Sequence, residues 1–333
     1  MKIFYAVQAT GNGHISRANQ IIPLLQNYGD VDVLLSGHNY SLNPGFKVKY
    51  LSRGISLVYD QCGSVNLKKT FFSSSVLNAV NDARKLPLDE YDLIINDFDF
   101  VTSLACKFQN KQSVHFGHQA SFSSNKVPRP LKKDVAGEFV LKNFVKADFN
   151  VGLHFKSFDD GIFPPVVKES IALASPQSLG YYTIYLPSVD QVCIYQALKK
   201  LKKIKFHWFT HDTTSKKEDQ NIKLFPITNE GFTKSLIDCN GLITGGGFET
   251  PAEALFLGKK LLSIPIQQHY EQQCNAVALS ELGVSVLNNP DFSRFDIEIE
   301  NWLNTRSETV FLERANTFNL VDYIAGFKFK YAG

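Results

Sequence analysis

Short apolar runs alternate with helical spacing of apolar residues along the first half of the chain. Residues 2–9 form an apolar run rich in strand-forming residues, and a loop follows at residues 10–13. Beyond this loop, Ile15, Ala18 and Ile22 recur three or four positions apart, which predicts a helix that buries one face. The same patterns predict further strands near residues 31–35, 46–51, 55–59, 93–96, 113–116 and 150–155, and helices near residues 73–86, 100–108 and 136–146.

Strands and helices alternate again from about residue 181 onward. Strands are predicted at residues 183–186, 204–209, 222–226, 241–244 and 260–264, and helices at residues 189–201, 232–239, from about 250, and at 270–282. This alternation is typical of mostly parallel sheets covered by helices on both faces. We therefore expect an α/β fold with two Rossmann-like domains that face each other across a cleft. The domains are predicted at residues 1–165 and 166–320, joined within residues 164–178, and a C-terminal helix or tail at residues 321–333 is predicted to return to the first domain.

Composition excludes several classes of protein. Hydrophobic residues make up 44% of the 333 residues and charged residues 20%, which is typical of a globular chain. The net charge of +3 and the lack of a dense basic stripe argue against nucleic-acid binding. Five cysteines, without a Cys-x-x-Cys pair, fit a reducing cytoplasm. No signal peptide and no apolar run of about 20 residues is evident, so we expect a cytoplasmic protein with at most peripheral contact to the inner face of a membrane.

The first glycine loop, Gly11-Asn12-Gly13-His14, lies between the first predicted strand and helix. It does not match the dinucleotide motif G-x-G-x-x-G, because Ser16 occupies the third glycine position, and it lacks the ending of a P-loop. The backbone N–H groups at such a helix start favour an anion. An imidazole at this position can accept a proton from an attacking hydroxyl, so His14 is a candidate general base.

Asp97-Phe98-Asp99 follows a predicted buried strand and permits three interpretations. A D-x-D pair can bind a divalent metal if the backbone aims both carboxylates inward, but a helix is predicted to begin at once, which disfavours a metal site. Asp97 is otherwise either the cap of that helix or the residue that orients His14.

The second glycine loop, Gly245-Gly246-Gly247, follows another buried strand and allows a ligand to approach the backbone closely. Thr250 as N-cap, Pro251 at the first helical position and Glu253 three residues after the cap form the signature of a capping box. Glu253 then has two possible roles, as part of this box or as a ligand of ribose hydroxyls.

A polar cluster at residues 267–275 follows the next buried strand. Its amides and Glu271 would suit the hydroxyl groups of a sugar, but they equally suit an ordinary first helical turn, where the helix dipole favours an acid.

Together these segments resemble the GT-B glycosyltransferases, in particular the group that is similar to the lipid I N-acetylglucosaminyltransferase of peptidoglycan synthesis and to the UDP-sugar glycosyltransferases of plants and vertebrates. In this family a glycine-rich loop with a histidine opens the N-terminal domain. The C-terminal domain carries a glycine turn, a Glu eight residues later, then a Pro, an acid–Gln pair and Asn-Ala. The matching residues here are Gly13-His14, Gly245, Glu253, Pro265, Glu271-Gln272 and Asn275-Ala276.

The resemblance implies that the C-terminal domain binds a nucleotide sugar, expected to be a UDP-sugar, as a substrate, and that neither a cofactor nor a metal is needed. Glu253 would bind the ribose, and Glu271 with Gln272 would bind the sugar hydroxyls. The diphosphate would contact Ser188, Gly245, Gly246, Gly247 and Thr250, and Ile227 would lie near the base. In the N-terminal domain, His14 would be the base and Asp97 its orienting partner, with Gly11, Gly13, Arg17, His118 and Gln119 on the acceptor side.

Two positions depart from the pattern of many eukaryotic relatives. Gly245 stands where those proteins have a histidine that contacts the diphosphate, and Glu249 stands where they have an asparagine. An acid beside phosphates is unfavourable unless it points away, and His211 is a candidate for the missing cation.

The expected activity is that of an inverting, metal-independent hexosyltransferase that moves a sugar from a nucleotide sugar to a hydroxyl acceptor, which could be lipid-linked or a glycan. A UDP-sugar 2-epimerase of the same fold and a non-catalytic nucleotide-sugar sensor are the alternatives. An NAD-dependent dehydrogenase is disfavoured, because neither glycine loop has the third glycine of the dinucleotide motif.

Overall fold

The computed structural model describes residues 1–9, 12–37, 43–55, 75–306 and 309–327, and the structural statements below refer to these residues. The chain divides into two compact units. The first comprises residues 1–127, 132–168 and 314–333, and the second comprises residues 128–131 and 169–313. The chain thus rejoins the first unit from Arg314, whereas the sequence predicts the return from residue 321.

The first unit is built on a parallel sheet of seven described strands, in the order β3-β2-β1-β4-β5-β6-β7. Its central strands β1 and β4 are buried almost throughout, because helices cover both faces of a parallel sheet. The strands are β1 (Lys2–Gln8), β2 (Asp30–Ser36), β3 (Val48–Ser52), β4 (Leu93–Asp97), β5 (Val114–Gly117), β6 (Phe149–Leu153) and β7 (Ile162–Phe163).

Five described helices belong to the first unit, α1 (Asn12–Leu25), α2 (Ser75–Lys85), α3 (Phe100–Gln109), α4 (Val135–Asn143) and α11 (Thr317–Ala325). The C-terminal helix α11 packs against α1. Its buried side chains Leu320, Val321 and Ile324 lie three or four positions apart, so one face of the helix enters the core.

The second unit is also built on a sheet of seven described strands, in the order β10-β11-β9-β8-β12-β13-β14. All of its described pairs are parallel except β10 with β11, which form an antiparallel edge hairpin. The strands are β8 (Tyr181–Tyr185), β9 (Lys205–Thr210), β10 (Lys217–Asp219), β11 (Ile222–Pro226), β12 (Gly241–Gly245), β13 (Lys260–Ile264) and β14 (Ser285–Val286). The helices are α5 (Glu169–Ala172), α6 (Gln191–Lys200), α7 (Asn229–Asp238), α8 (Glu249–Phe256), α9 (Tyr270–Glu281) and α10 (Phe295–Asn304).

The α/β fold with two Rossmann-like sheets, predicted from the alternation of strands and helices, is confirmed. The strand predicted at residues 55–59 is wrong at Ile55, the one residue of this range that the structure describes. Ile55 is buried but lies outside any strand, and residues 56–59 lie outside the described residues. The edge strands β7, β10 and β14 have two or three residues each, too few for a periodic pattern to indicate them.

Truncation of Leu320 tests the contribution of α11 to the first unit. Leu320 is fully buried, so we expect Leu320→Ala to lower the free energy of unfolding of this unit by about 2–5 kcal/mol. Phe318 lies on the same helix but its side chain is mostly exposed, so Phe318→Ala is the matched control and should cost less than about 1 kcal/mol. Urea denaturation measures both values, and equal losses would contradict the packing described here.

Candidate active site

Each sheet has a point where the order of its strands reverses, and open α/β sheets bind ligands beyond the carboxyl ends of the strands at this point. In the first unit, β1 lies between β2 and β4, so the reversal separates the loops after β1 and β4. In the second unit, β8 lies between β9 and β12, so it separates the loops after β8 and β12. The candidate residues His14, Asp97, Ser188 and Gly245 all belong to these four loops or to the strand and helix ends that flank them.

His14 and Asp97 form a close pair. His14 lies in the first turn of α1, and its Nδ1 is 2.7 Å from Oδ1 of Asp97, the last residue of β4. The Asp97 side chain is fully buried, and that of His14 is 12% exposed. The structure therefore brings together the two residues for which the sequence suggests catalytic roles.

The contacts of this pair indicate which ring nitrogen of His14 carries the proton. A carboxylate oxygen 2.7 Å from Nδ1 requires a donor there, because two lone pairs would repel each other at this distance. In the neutral ring, Nδ1 is then protonated and Nε2 is the basic nitrogen. The arrangement can thus hold a neutral imidazole that accepts a proton at Nε2.

Arg17 binds the same carboxylate in a bidentate manner. Its Nη2 donates to Oδ1 of Asp97 at 2.7 Å and its Nε donates to Oδ2 at 3.0 Å, while the Tyr5 hydroxyl donates to Oδ2 at 3.3 Å. The guanidinium is buried, so the structure places Arg17 in the Asp97 network, whereas the sequence suggests a place on the acceptor side. Burial by itself raises the pKa of Asp97, but the Arg17 charge and then the His14 ring lower it more, so the net pKa lies below its ordinary value.

Phe98 turns the backbone sharply between the two aspartates of the D-x-D sequence. Its φ of 58° lies in the left-handed region, which is unfavourable for a bulky residue. The Asp99 carboxylate accepts a hydrogen bond from the Thr102 N–H at 2.6 Å and caps α3. Asp97 is therefore not the helix cap, and the two carboxylates have different partners. Among the residues that the structure describes, no cluster of three or more potential metal ligands occurs.

The other first-unit candidates lie around β5 and α1. His118 is buried, and its Nδ1–H donates to the Leu153 carbonyl oxygen at 3.0 Å. Gln119 is also buried and begins a short 3-10 turn at Gln119–Ser123. Gly13 is partly exposed in the first turn of α1, and Gly11 lies outside the described residues.

In the second unit, helix α9 holds the glycine turn at its central residue. The Gly246 N–H donates to Oε1 of Gln272 at 3.3 Å, and the Gly246 carbonyl oxygen accepts from Nδ2 of Asn275 at 3.0 Å. Oε1 of Gln272 also accepts from the Ile266 N–H at 2.9 Å, so this side chain connects the turn to the loop after β13. Sequence reasoning assigned Gln272 to the sugar and gave Asn275 no role, although the shared Asn-Ala motif was the signal.

The three glycines of the turn differ in what surrounds them. A Cβ atom on Gly246 would lie 2.9 Å from Cβ of Pro265 and 3.0 Å from Cβ of Gln272, so packing requires glycine there. A Cβ atom on Gly247 would meet nothing within 4 Å, and one on Gly245 would make ordinary contacts. Neither of these two residues has a left-handed φ. The fold itself does not explain why they are glycines.

Helix α8 begins at Glu249, with Phe248 as its N-cap and no side-chain hydrogen bond at the cap. The predicted capping box is therefore wrong, because Thr250 already lies inside the helix and cannot adopt the extended backbone that an N-cap requires. Glu253 is 4% exposed in the second turn of α8. Capping thus no longer accounts for this carboxylate.

The remaining candidates lie in loops at the carboxyl ends of the second sheet or at the start of a helix. Ser188 is exposed in the turn after β8, and Ile227 is partly buried between β11 and α7. Glu271 is partly buried in the first turn of α9, and His211 is exposed after β9.

Comparisons with known proteins agree with this architecture. Solved structures of similar fold include MurG from Acinetobacter baumannii (14% identity, 99% of this chain and 95% of that chain, TM-score 0.53). LpCGTa in complex with UDP is 11% identical, with 100% of this chain and 95% of that chain covered and a TM-score of 0.55. VinC in complex with dTDP is 12% identical, with 99% of this chain and 96% of that chain covered and a TM-score of 0.51. At these identities the likeness shows the fold, which is the GT-B fold of glycosyltransferases.

The family itself is shown by sequence. A family model described as glycosyl transferase family 1 matches residues 1–303, and this chain belongs to that family. A glycosyltransferase of Methanosarcina mazei is 23% identical, in a match that covers 85% of this chain and 84% of the relative. Within the described ranges, no helix is long and apolar enough to cross a membrane.

His115 on β5 offers a test of the electrostatics around this site. Burial lowers the pKa of His115 to about 4, and its Nε2 has no hydrogen-bond partner. The pKa of this histidine in the unfolded chain is about 6.5. Between about pH 6.5 and pH 4 the unfolded chain therefore binds more protons than the folded chain, so the free energy of unfolding falls as the pH falls. We expect His115→Phe to remove up to about 3 kcal/mol of this loss in the first unit, as measured by urea denaturation at pH 7 to 4.

The matched control is His207→Phe, because burial also lowers the pKa of His207 to about 4 but this residue belongs to the second unit. This change should alter the pH dependence of the second unit alone. A first unit that loses stability equally in wild type and His115→Phe would contradict the assignment.

Proposed function

We propose that this protein transfers a sugar from a nucleotide sugar, a UDP-sugar, to a hydroxyl group of an acceptor with inversion at the anomeric carbon. The observation that carries the proposal is the buried His14–Asp97 pair, whose 2.7 Å contact leaves Nε2 of the imidazole as a base. Membership in glycosyl transferase family 1 supports the reaction class.

The donor is proposed to bind the second unit at the glycine turn. Gly245 and Gly247 are not required to be glycine by the fold, and they precede the start of α8, where backbone N–H groups favour a diphosphate. Thr250 and Ser188 would donate further hydrogen bonds to it. Glu253 would accept from the ribose hydroxyls, Glu271 and the amide group of Gln272 would bind the sugar, and Ile227 would contact the base.

Uracil is proposed as the base because of the resemblance to UDP-sugar glycosyltransferases, and the complex of LpCGTa with UDP agrees with this choice. VinC was solved with dTDP, so a thymidine-linked sugar is the natural comparison in a binding screen.

The proposed chemistry is a single displacement. Nε2 of His14 takes the proton of the acceptor hydroxyl while the acceptor oxygen forms a bond to the anomeric carbon. The bond from that carbon to the diphosphate oxygen breaks on the opposite face, and the nucleoside diphosphate leaves with the electron pair. Its charge is stabilised by the N-terminus of α8. We propose that no metal takes part, since Asp99 caps a helix and Asp97 is bound to Arg17.

A cytoplasmic location is proposed, since the four described cysteines are all unbridged thiols, as expected in a reducing compartment. The acceptor is proposed to be a lipid-linked or glycan hydroxyl bound by the first unit, with at most peripheral contact to a membrane.

Two alanine substitutions in the glycine turn separate ligand binding from folding. Gly247→Ala should leave the free energy of unfolding within about 0.5 kcal/mol, because the Cβ atom meets no protein atom, but should weaken donor binding at least tenfold, because it fills the space proposed for the diphosphate. Gly246→Ala should lower stability by about 1–3 kcal/mol because it clashes with Pro265 and Gln272. Calorimetric titration with UDP and dTDP and urea denaturation measure these effects. Unchanged donor affinity of Gly247→Ala would exclude this binding site.

Replacement of His14 tests the base. His14→Ala should leave the dissociation constant for the donor within about twofold and lower kcat by about 10²–10⁴, because only the acceptor proton loses its base. Ser16→Ala in the same turn of α1 is the control and should retain activity. Incubation with donor alone tests the epimerase, since an isomerised sugar nucleotide would indicate that enzyme. Donor binding without transfer to any of many acceptors would indicate a sensor. Full transfer by His14→Ala would refute the proposed mechanism.

A further inference from the structure

Arg17 shares a helix face with His14, because residues three positions apart on an α-helix are neighbours. Both side chains converge on the same atom, Oδ1 of Asp97, each at 2.7 Å. Nη2 of Arg17 also lies 2.9 Å from Nδ1 of His14. The Asp97 carboxylate requires a proton on Nδ1, so Nδ1 cannot also accept a hydrogen bond from the guanidinium. The short distance between Nη2 and Nδ1 therefore reflects two donors that share the acceptor Oδ1 of Asp97.

The surrounding chain leaves room for this arrangement at Gly117, the last residue of β5. A Cβ atom there would lie 2.9 Å from Oδ1 of Asp97 and 3.0 Å from Nη2 of Arg17, and the φ of +117° also favours glycine. The Arg17 guanidinium further lies 6.0 Å from the centre of the Phe116 ring. The backbone of β5 and the Phe116 ring therefore form a buried position that accommodates the Arg17 guanidinium.

The electrostatic balance at Asp97 depends on this arginine. The other titratable groups near Asp97 are Tyr5 on β1, His14 on α1 and His115 on β5. Burial raises the pKa of Tyr5 and lowers that of His115, so both are neutral near pH 7. A general base must be neutral, so the proposed role of His14 leaves Arg17 as the cation in contact with the buried carboxylate among the described residues.

We propose that Arg17 is a positioning residue, which holds Asp97 as an anion and thereby keeps His14 in the tautomer whose Nε2 is unprotonated. This inference rests on the proposed role of His14 as the base. Arg17 itself is buried and is not assigned a contact with the acceptor.

The consequence of losing Arg17 is a proton on Nε2 by either of two routes. In the first, the uncompensated carboxylate takes a proton from solvent and donates it to Nδ1, so the neutral ring must carry its hydrogen on Nε2. In the second, the ring takes a proton from solvent and becomes an imidazolium, with hydrogens on both nitrogens, that pairs with the Asp97 anion. Both routes remove the lone pair that accepts the acceptor proton.

The test is the ¹⁵N chemical shift of the His14 ring in the full-length protein at pH 7.5, which distinguishes protonated from unprotonated ring nitrogens. In wild type we expect a protonated Nδ1 and an unprotonated Nε2. In Arg17→Met, Nε2 should move to the protonated value, and kcat should fall at least tenfold. Arg17→Lys retains the cation, so it should keep the wild-type Nε2 shift and recover part of the rate.

His118 provides an internal control in the same spectra. Its Nδ1–H donates to the Leu153 carbonyl oxygen, so its tautomer should not change in any Arg17 variant. Arg17→Met leaves the Asp97 carboxylate without its cation and could fail to fold for that reason. The double variant Arg17→Met/Asp97→Asn removes both charges and is then the protein to measure. The neutral amide can donate to Nδ1 or accept from it, so Nε2 should then show an intermediate shift.

An unprotonated Nε2 in folded Arg17→Met, or in the double variant, would overturn the positioning role of Arg17. That result is separate from a failure of the proposed function. If His14→Ala transfers sugar at the wild-type rate while the tautomer still depends on Arg17, the role of His14 as base is wrong and the role of Arg17 in setting its tautomer stands.

Discussion

The charge of one buried carboxylate governs the arrangement of the first unit around its strand reversal. Asp97 is fully buried at the end of β4, where a lone anion would be strongly unfavourable. Hydrogen bonds from Arg17, His14 and Tyr5 meet both of its oxygens. These contacts connect the start of α1 to β1 and β4, so the same interactions that make burial tolerable also fix the candidate base in one orientation.

The glycine turn at the strand reversal of the second unit is held in a different way. The hydrogen bonds described for this turn come from neutral side chains. Gln272 and Asn275, one turn apart on α9, bind the N–H and the carbonyl group of Gly246. Gly247 borders open space beside a backbone that is already anchored, a property that suits the proposed diphosphate site.

The sequence predicted the order of elements and the position of both glycine loops, because strand–helix periodicity and glycine runs are local signals. The burial of Arg17 could not be predicted, since an arginine on an amphipathic helix more often faces solvent and its partner lies 80 residues away. The start of α8 was misread because the Thr-Pro-x-Glu signature of a capping box is present without the cap geometry. The left-handed turn at Phe98, which separates the two aspartates, has no signal in the local sequence, because a bulky aromatic residue rarely adopts this conformation.

The hydrogen bonds from α9 to Gly246 have a consequence for the proposed donor site. Because Gly246 is hydrogen-bonded to side chains of α9, the turn is held in shape without a ligand, and the proposed binding of a donor there would cost little ordering entropy. Residues 267 and 268, by contrast, lie exposed in the neighbouring loop, and Gln268 has a left-handed φ of 60°. Under the proposed function, substitutions in that exposed loop would alter the surroundings of the donor sugar and leave the hydrogen bonds that hold the glycine turn unchanged.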